Sequence, residues 1–309
     1  MISPQRVDRR TFCHLACGAL AGTQMMRVCE GNDREAAFRL NYILASSMYG
    51  TTPLEAILPE VGKIGATAID IWPLPHGNQR EQMDKIGHDA LAQQLERRGL
   101  KLGILTRYDL GPWKLAGELP VAKRFGTRLI VCGSGGPRGL SGAELKTAVR
   151  KFVERLKPHL DRAADHGVTL GIENHANALI DSADSIRYLA DMAPQGQLGV
   201  ALAPYHLPQD TKLLASLIHD LDRRLVHFYA WQHGMGCMKK LPKEQELLQM
   251  PGRGSLDFAP LLAALKQIGY QGWTEVFMHP VPRGIPILKP TSAVTEEINR
   301  ARRYLETLL

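Results

Sequence analysis

The chain has 309 residues, 44% of them hydrophobic and 22% charged, with a net charge of 38 − 31 = +7. This composition excludes a disordered or fibrous chain, and the length supplies a large core. Lys and Arg are scattered over helical patterns rather than gathered in a run, which argues against nucleic-acid binding, and the five cysteines show no zinc or redox spacing.

The N-terminus departs from the rest. Asp8-Arg9-Arg10-Thr11-Phe12 precedes a weakly apolar run, 15–22. Paired Arg, a Phe two residues on and a modest apolar segment resemble a twin-arginine export signal. The run is too short to span a membrane as a mature helix, and no stable membrane span is expected elsewhere. Residues 1–35 are therefore read as an export signal and linker. That reading sends a folded protein across a bacterial inner membrane to the periplasm. The alternative is a disordered tail on a cytoplasmic protein.

From about residue 39 one unit repeats: a short apolar strand, a polar loop, an amphipathic helix. Eight strands are expected, at 39–47, 68–73, 101–108, 128–133, 168–175, 198–206, 225–233 and 273–279. The helices between and after them are expected at 53–62, 82–98, 113–125, 142–166, 182–192, 211–223, 259–268 and 293–308. Several end on the same device, as in Arg98-Gly99-Leu100, Phe125-Gly126-Thr127, His166-Gly167-Val168 and Ile268-Gly269-Tyr270. There a glycine takes the left-handed conformation that stops the helix. Alternating βα units imply a parallel sheet with right-handed crossovers. Eight of them in about 270 residues make a single-domain (β/α)8 TIM barrel over 36–309 the economical answer. The long segment 234–255 after the seventh strand sits on the site side and is placed to act as a lid.

Strand ends carry the chemistry. The fifth strand is apolar up to Gly171-Ile172 and then stops on Glu173-Asn174-His175. A buried parallel strand has no reason to end so unless its end faces a site. The eighth strand repeats the design with Glu275 and His279. The second adds Asp70, Trp72 and His76, the sixth Tyr205-His206, and the seventh His227, Tyr229, Trp231 and His233. Glu173 and Glu275, if both point inward, face one another across the barrel mouth. Two opposed carboxylates suit acid/base work on a carbon acid, or the holding of a hard divalent cation. Trp72, Tyr229, Trp231 and Phe277 offer apolar faces to a sugar ring. Cys132-Gly133-Ser134-Gly135-Gly136-Pro137-Arg138-Gly139 follows the fourth strand. It reads as a tight loop that lets a substrate approach the backbone, or as a phosphate cradle.

At these residues the chain resembles the xylose isomerase-like TIM-barrel superfamily of sugar isomerases and epimerases. The most specific pieces are Gly171-Ile172-Glu173-Asn174-His175 with Asp181-Ser182-Ala183-Asp184-Ser185-Ile186 behind it, the stretch from Gly199 to His206, and Trp273-Thr274-Glu275. The resemblance implies an enzyme moving a proton α to a carbonyl on a sugar or polyol-derived ketone. Its epimerase-type members hold one divalent metal (Mn²⁺, Mg²⁺ or Co²⁺) on a Glu, an Asp, a His and a Glu after strands five to eight. Carried over, Glu173 and Glu275 match as catalytic and metal-binding carboxylates. His206 and His227 match neighbouring imidazoles of the motif. The usual Asp is Ala203, and Tyr229 stands where the metal His is expected. Three readings stay open: a rearranged metal set of Glu173, Glu275, His206 and His227, metal-free proton transfer, or a non-catalytic sugar-binding protein. His175, His206, His227, Tyr229, Trp231 and Trp72 are the expected substrate contacts. A nuclease of the endonuclease IV type is disfavoured, because it needs a fuller ligand set. The expected partner is a small carbohydrate, and the oligomeric state stays open, with a homodimer as one option.

Overall fold

A computed structural model of the chain describes residues 38–233 and 241–309. Eight strands form a closed barrel in sequence order. They are β1 (Asn41–Ala45), β2 (Ala68–Ile71), β3 (Lys101–Thr106), β4 (Leu129–Gly133), β5 (Thr169–Glu173), β6 (Leu198–Leu202), β7 (Leu225–Ala230) and β8 (Trp273–Val276). Every neighbouring pair is parallel, and β1 against β8 closes the ring with Asn41 beside Trp273. The (β/α)8 expectation holds, and Phe38–Leu309 forms one compact unit. The signal expected at 1–35 lies outside the described residues, as do residues 234–240 of the expected lid.

The helices are α1 (Leu54–Lys63), α2 (Gln79–Ile86), α3 (His88–Arg97), α4 (Glu118–Phe125), α5 (Gly142–Asp165), α6 (Ala183–Met192), α7 (Thr211–Leu221), α8 (Lys243–Glu246), α9 (Ala259–Gln267) and α10 (Thr291–Glu306). Each longer one turns an apolar stripe to the barrel, as α5 does with Val149, Phe152, Leu156 and Leu160. The helix-stopping glycines behave as their spacing implies: Gly99, Gly126, Gly167 and Gly269 have φ of 63°, 67°, 70° and 60°. One expectation fails in detail. The helix expected at 82–98 is two helices, because Gly87 at φ 86° breaks the pattern and α3 restarts behind it. The Asp181-Ser182 start of α6 is a capping box in which Ser182 and Ser185 satisfy each other's backbone N–H.

Two devices hold the site end of the barrel. Glu118 of α4 takes both guanidinium groups of Arg80 and Arg107, at 2.9 Å and 2.5 Å, and so ties α2 and the end of β3 to α4. Asn174 clamps the backbone of Ala203, accepting from its N–H at 2.8 Å and donating to its carbonyl at 3.0 Å. The amide that follows Glu173 thus joins the ends of β5 and β6 and fixes the direction in which Glu173 leaves its strand.

Candidate active site

The strand C-termini surround a cavity of about 400 Å³. That volume suits a monosaccharide-sized ligand. A larger one of about 620 Å³ lies to the side, between Trp113, Gly135 and α5, and none of the strand-end carboxylates and imidazoles lines it. The chemistry is therefore in the smaller cavity.

Glu173 opens into it from the end of β5 and is 3% exposed. The Tyr108 hydroxyl donates to Glu173 Oε2, and His206 Nε2 lies 3.7 Å from Oε1. Burial raises the carboxyl pKa well above its usual value; Tyr229 opposes that rise, while Glu275 and Asp70 add to it as like charges. A carboxyl that opens into a cavity and holds its proton more tightly than a free carboxylate is suited to general acid/base work.

Beneath the cavity lies a second, fully enclosed layer. Glu275 Oε2 is 3.0 Å from His227 Nε2, with both side chains completely buried. Asp70 accepts from the Thr106 hydroxyl at 2.7 Å. Burial raises Asp70 and Glu275 well above the carboxylate range and lowers His227 to about 3. Tyr229, beside Glu275 in the β7–β8 register, is likewise buried and held as a neutral phenol.

The walls are aromatic and imidazole. Trp72 is stacked between Tyr108 and Phe277, with ring centres 5.7 Å and 5.1 Å away. Trp231 stacks on Tyr205 at 3.9 Å and donates its indole N–H to Gln249 at 2.9 Å. Gln249 also donates to the His279 carbonyl, and Met250 is fully buried. The described part of the expected lid thus packs behind Trp231 and His279 through Gln249. His175 and His206 lie ring to ring at 4.0 Å, and His76 and His279 at 5.5 Å. Burial comes first in keeping them neutral, lowering His76 and His206 to about 2 and His279 to about 3.

Of the residues singled out from sequence, Glu173, His175, His206, Trp72 and Trp231 line the cavity. Glu275, His227 and Tyr229 do not. Glu275, expected to face Glu173 across the mouth, is completely buried. Phe277, two residues on and just past the end of β8, lines the cavity. Tyr108 and Arg283 also line it and were not singled out. Tyr108 stood at the end of an expected strand, a signal that was there to be used. Arg283 sits in an irregular Pro-rich stretch that carries no periodicity. The glycine loop after β4 contributes Gly133 and Ser134 to the rim. Its Gly135 packs so closely on Trp113 that an added Cβ would lie 2.8 Å from the indole nitrogen.

The family model described as xylose isomerase-like TIM barrel matches residues 58–304. The chain belongs to that family. No curated protein matches the sequence closely enough to count as a relative. Among solved structures, the IolI protein with a binding zinc atom is similar at a TM-score of 0.68 and 16% identity, over 87% of this chain and 99% of that one. D-psicose 3-epimerase with D-tagatose from Clostridium cellulolyticum H10 is similar at 0.65 and 17%, over 87% and 99%. The probable 3-DHS dehydratase AsbF from Bacillus anthracis is similar at 0.62 and 12%, over 86% and 99%. At these identities the likeness shows the shared barrel fold.

The donors of this xylose isomerase-like barrel do not fit the four-ligand metal site that the resemblance implies. Ala203 has no side-chain donor, and Asn174 locks its backbone. Tyr229 is a buried neutral phenol, a poor ligand for a hard cation. The rearranged set is not assembled either. Glu173 pairs with His206 and Glu275 with His227, in separate layers. Among the described residues no three His, Cys, Asp or Glu side chains converge as a ligand group.

Proposed function

We propose that this chain is a sugar isomerase- or epimerase-like enzyme that moves a proton α to the carbonyl of a sugar or polyol-derived ketone. The observation that carries the reading is Glu173. It is a buried carboxyl opening into a monosaccharide-sized cavity, with a tyrosine hydroxyl on one oxygen and an imidazole beside the other.

Ionised Glu173 takes the proton from the carbon next to the carbonyl. The C–H electron pair becomes the C=C of an enol, and the carbonyl oxygen gains negative charge. A neutral His206 N–H is near enough to that carboxylate to donate to the same oxygen and stabilise it. Glu173 then delivers the proton to the former carbonyl carbon on the C=C electron pair, while the hydroxyl proton of the first carbon passes to the enolate oxygen and that hydroxyl oxygen becomes the new carbonyl. Because Glu173 enters the cavity and Glu275 does not, the geometry favours one-base chemistry over transfer between opposite faces of one carbon. Isomerisation by a 1,2-proton shift fits that best, and elimination of water shares its first step.

The isomerase and epimerase names among the similar structures support the class. Ala203 and Tyr229 favour a second reading, a sugar-binding protein without catalysis. One experiment separates them: solvent deuterium exchange into a panel of ketoses and aldoses, for wild type and Glu173→Gln. Exchange by wild type that falls by roughly a hundredfold or more in the variant supports proton transfer by Glu173. Sugar binding with no exchange in wild type supports the binder. Exchange that survives Glu173→Gln overturns the role of Glu173.

A further inference from the structure

We propose that the cavity takes an acidic sugar, one bearing a carboxylate or a phosphate, and that Arg283 at the rim holds the acidic group. This deepens the reading above and rests on the cavity being the sugar site. Three observations carry it. Arg283 lines the cavity and is half-buried, yet it has no carboxylate partner among the described residues. Its neighbours contrast with it: Asp109, the other acid on the rim, is bound at both oxygens by Arg107, at 2.9 Å and 2.7 Å. Arg283 therefore brings to the cavity a positive charge that no ion pair among the described residues takes up.

The second observation is the company it keeps. His76, His175, His206 and His279 all feel its charge, which opposes their protonation. A guanidinium set among neutral imidazoles, with no acid to satisfy it, is an arrangement an isolated protein has little reason to keep. The third is unmet hydrogen bonding. His206 Nε2 and His279 Nδ1 are buried without a hydrogen-bond partner. Buried polar atoms without partners are costly, and those that face a cavity are met by a ligand. A guanidinium presents a planar fork that matches carboxylate and phosphate oxygens two at a time, with neutral ring N–H groups to complete the cradle. A neutral sugar would leave the Arg283 charge half-desolvated and unpaired. Arg283 thus holds one end of the substrate while Glu173 works on the carbonyl.

The test is equilibrium binding, which does not depend on turnover. D-glucuronate, D-fructose 6-phosphate, D-fructose and inorganic phosphate are titrated calorimetrically into the full chain, for wild type, Arg283→Gln and Arg283→Lys. Circular dichroism verifies that the variants fold. An acidic sugar should bind wild type roughly tenfold or more tighter than neutral D-fructose, as expected of a charge-assisted pair. Arg283→Gln should erase that preference while D-fructose affinity stays within about twofold, and Arg283→Lys should keep part of it. A preference for glucuronate alone or for the sugar phosphate alone identifies the anionic group. D-fructose binding as tightly as both acids, a preference that survives Arg283→Gln, or no binding of either acidic sugar at millimolar concentration would each overturn the proposal. Loss of exchange chemistry with the preference intact would sink the proton-transfer reading and leave this one standing.

Discussion

Tyr108→Phe isolates the hydrogen bond that shapes the proposed base. The hydroxyl donates to Glu173 Oε2, while the ring stacks on Trp72 with centres 5.7 Å apart and planes at 22°. Phenylalanine keeps the stack and removes the donor. A hydrogen bond to a charged acceptor contributes about 1.5–3 kcal/mol. One pKa unit corresponds to about 1.4 kcal/mol, so the loss amounts to about one to two units. The donor favours the ionised carboxylate, so its removal raises the Glu173 pKa. Since the ionised form abstracts the proton, the acid limb of kcat/KM for solvent deuterium exchange should move to higher pH by about one to two units. Activity on the alkaline plateau should change much less. A limb that stays in place, or moves to lower pH, would refute the argument that this hydroxyl serves the base.

Three further outcomes follow from other parts of the structure. Glu118→Ala leaves the buried Arg80 and Arg107 with only Asp84 and Asp109 as partners. It should cost about 3 kcal/mol in urea unfolding, at the low end for a broken buried pair, and a loss below about 1 kcal/mol would show the cluster to be dispensable. Mn²⁺, Mg²⁺ or Co²⁺ should leave the melting temperature unchanged, since the candidate ligands lie in two separate pairs. A saturable rise that disappears in Glu173→Ala would instead restore a metal site. Asp70 holds its proton in the folded barrel at pH values where the unfolded chain has released it. Its contribution is thus fully present below about pH 4 and lost as pH rises through the folded pKa. Asp70→Asn should therefore gain stability over wild type as pH rises above about 4 towards the folded pKa, at up to about 1.4 kcal/mol per pH unit, and a difference that does not grow above about pH 4 would count against the buried neutral acid.

Strands that are buried on both faces announce themselves as apolar runs, and helices that end on glycine announce where they stop. The barrel was legible for these reasons. Residues at the ends of strands were legible in part. Parity places Glu173 and Glu275 on the inner side of their strands, but parity says nothing of depth. Depth depends on how each strand is staggered against its neighbours, and on what stands above: Phe277 lines the cavity, whereas Glu275 is completely buried below it. Trp72 and Trp231 were legible as aromatic side chains at strand ends. Arg283 was not, because it comes from Pro280-Val281-Pro282-Arg283-Gly284-Ile285-Pro286, where no period points a side chain anywhere. Only the folded loop brings it to the rim. Gly87 shows the same limit on a smaller scale. An isolated glycine inside a helical pattern is tolerated in many helices, and its φ of 86° is what separates α2 from α3.

The replaced ligand positions and the state of the carboxylates are two sides of one physical requirement. Buried acids need a cation, a proton or hydrogen-bond donors. In this barrel each acid has a neutral side-chain partner: Thr106 for Asp70, Tyr108 for Glu173, and His227 for Glu275. Tyr229 stands where a metal-binding His is expected from the resemblance, and it supports Glu173 as a phenol. Ala203 stands where an Asp is expected, and its backbone is spent on the Asn174 clamp that aims Glu173. An aspartate at 203 would add a fourth carboxylate to three whose pKa values burial already raises. A tyrosine at 229 and an alanine at 203 are therefore mutually consistent choices. Each removes a metal ligand, and together they keep a further charge out of an enclosed set of acids, while Arg283 brings a positive charge to the rim above them.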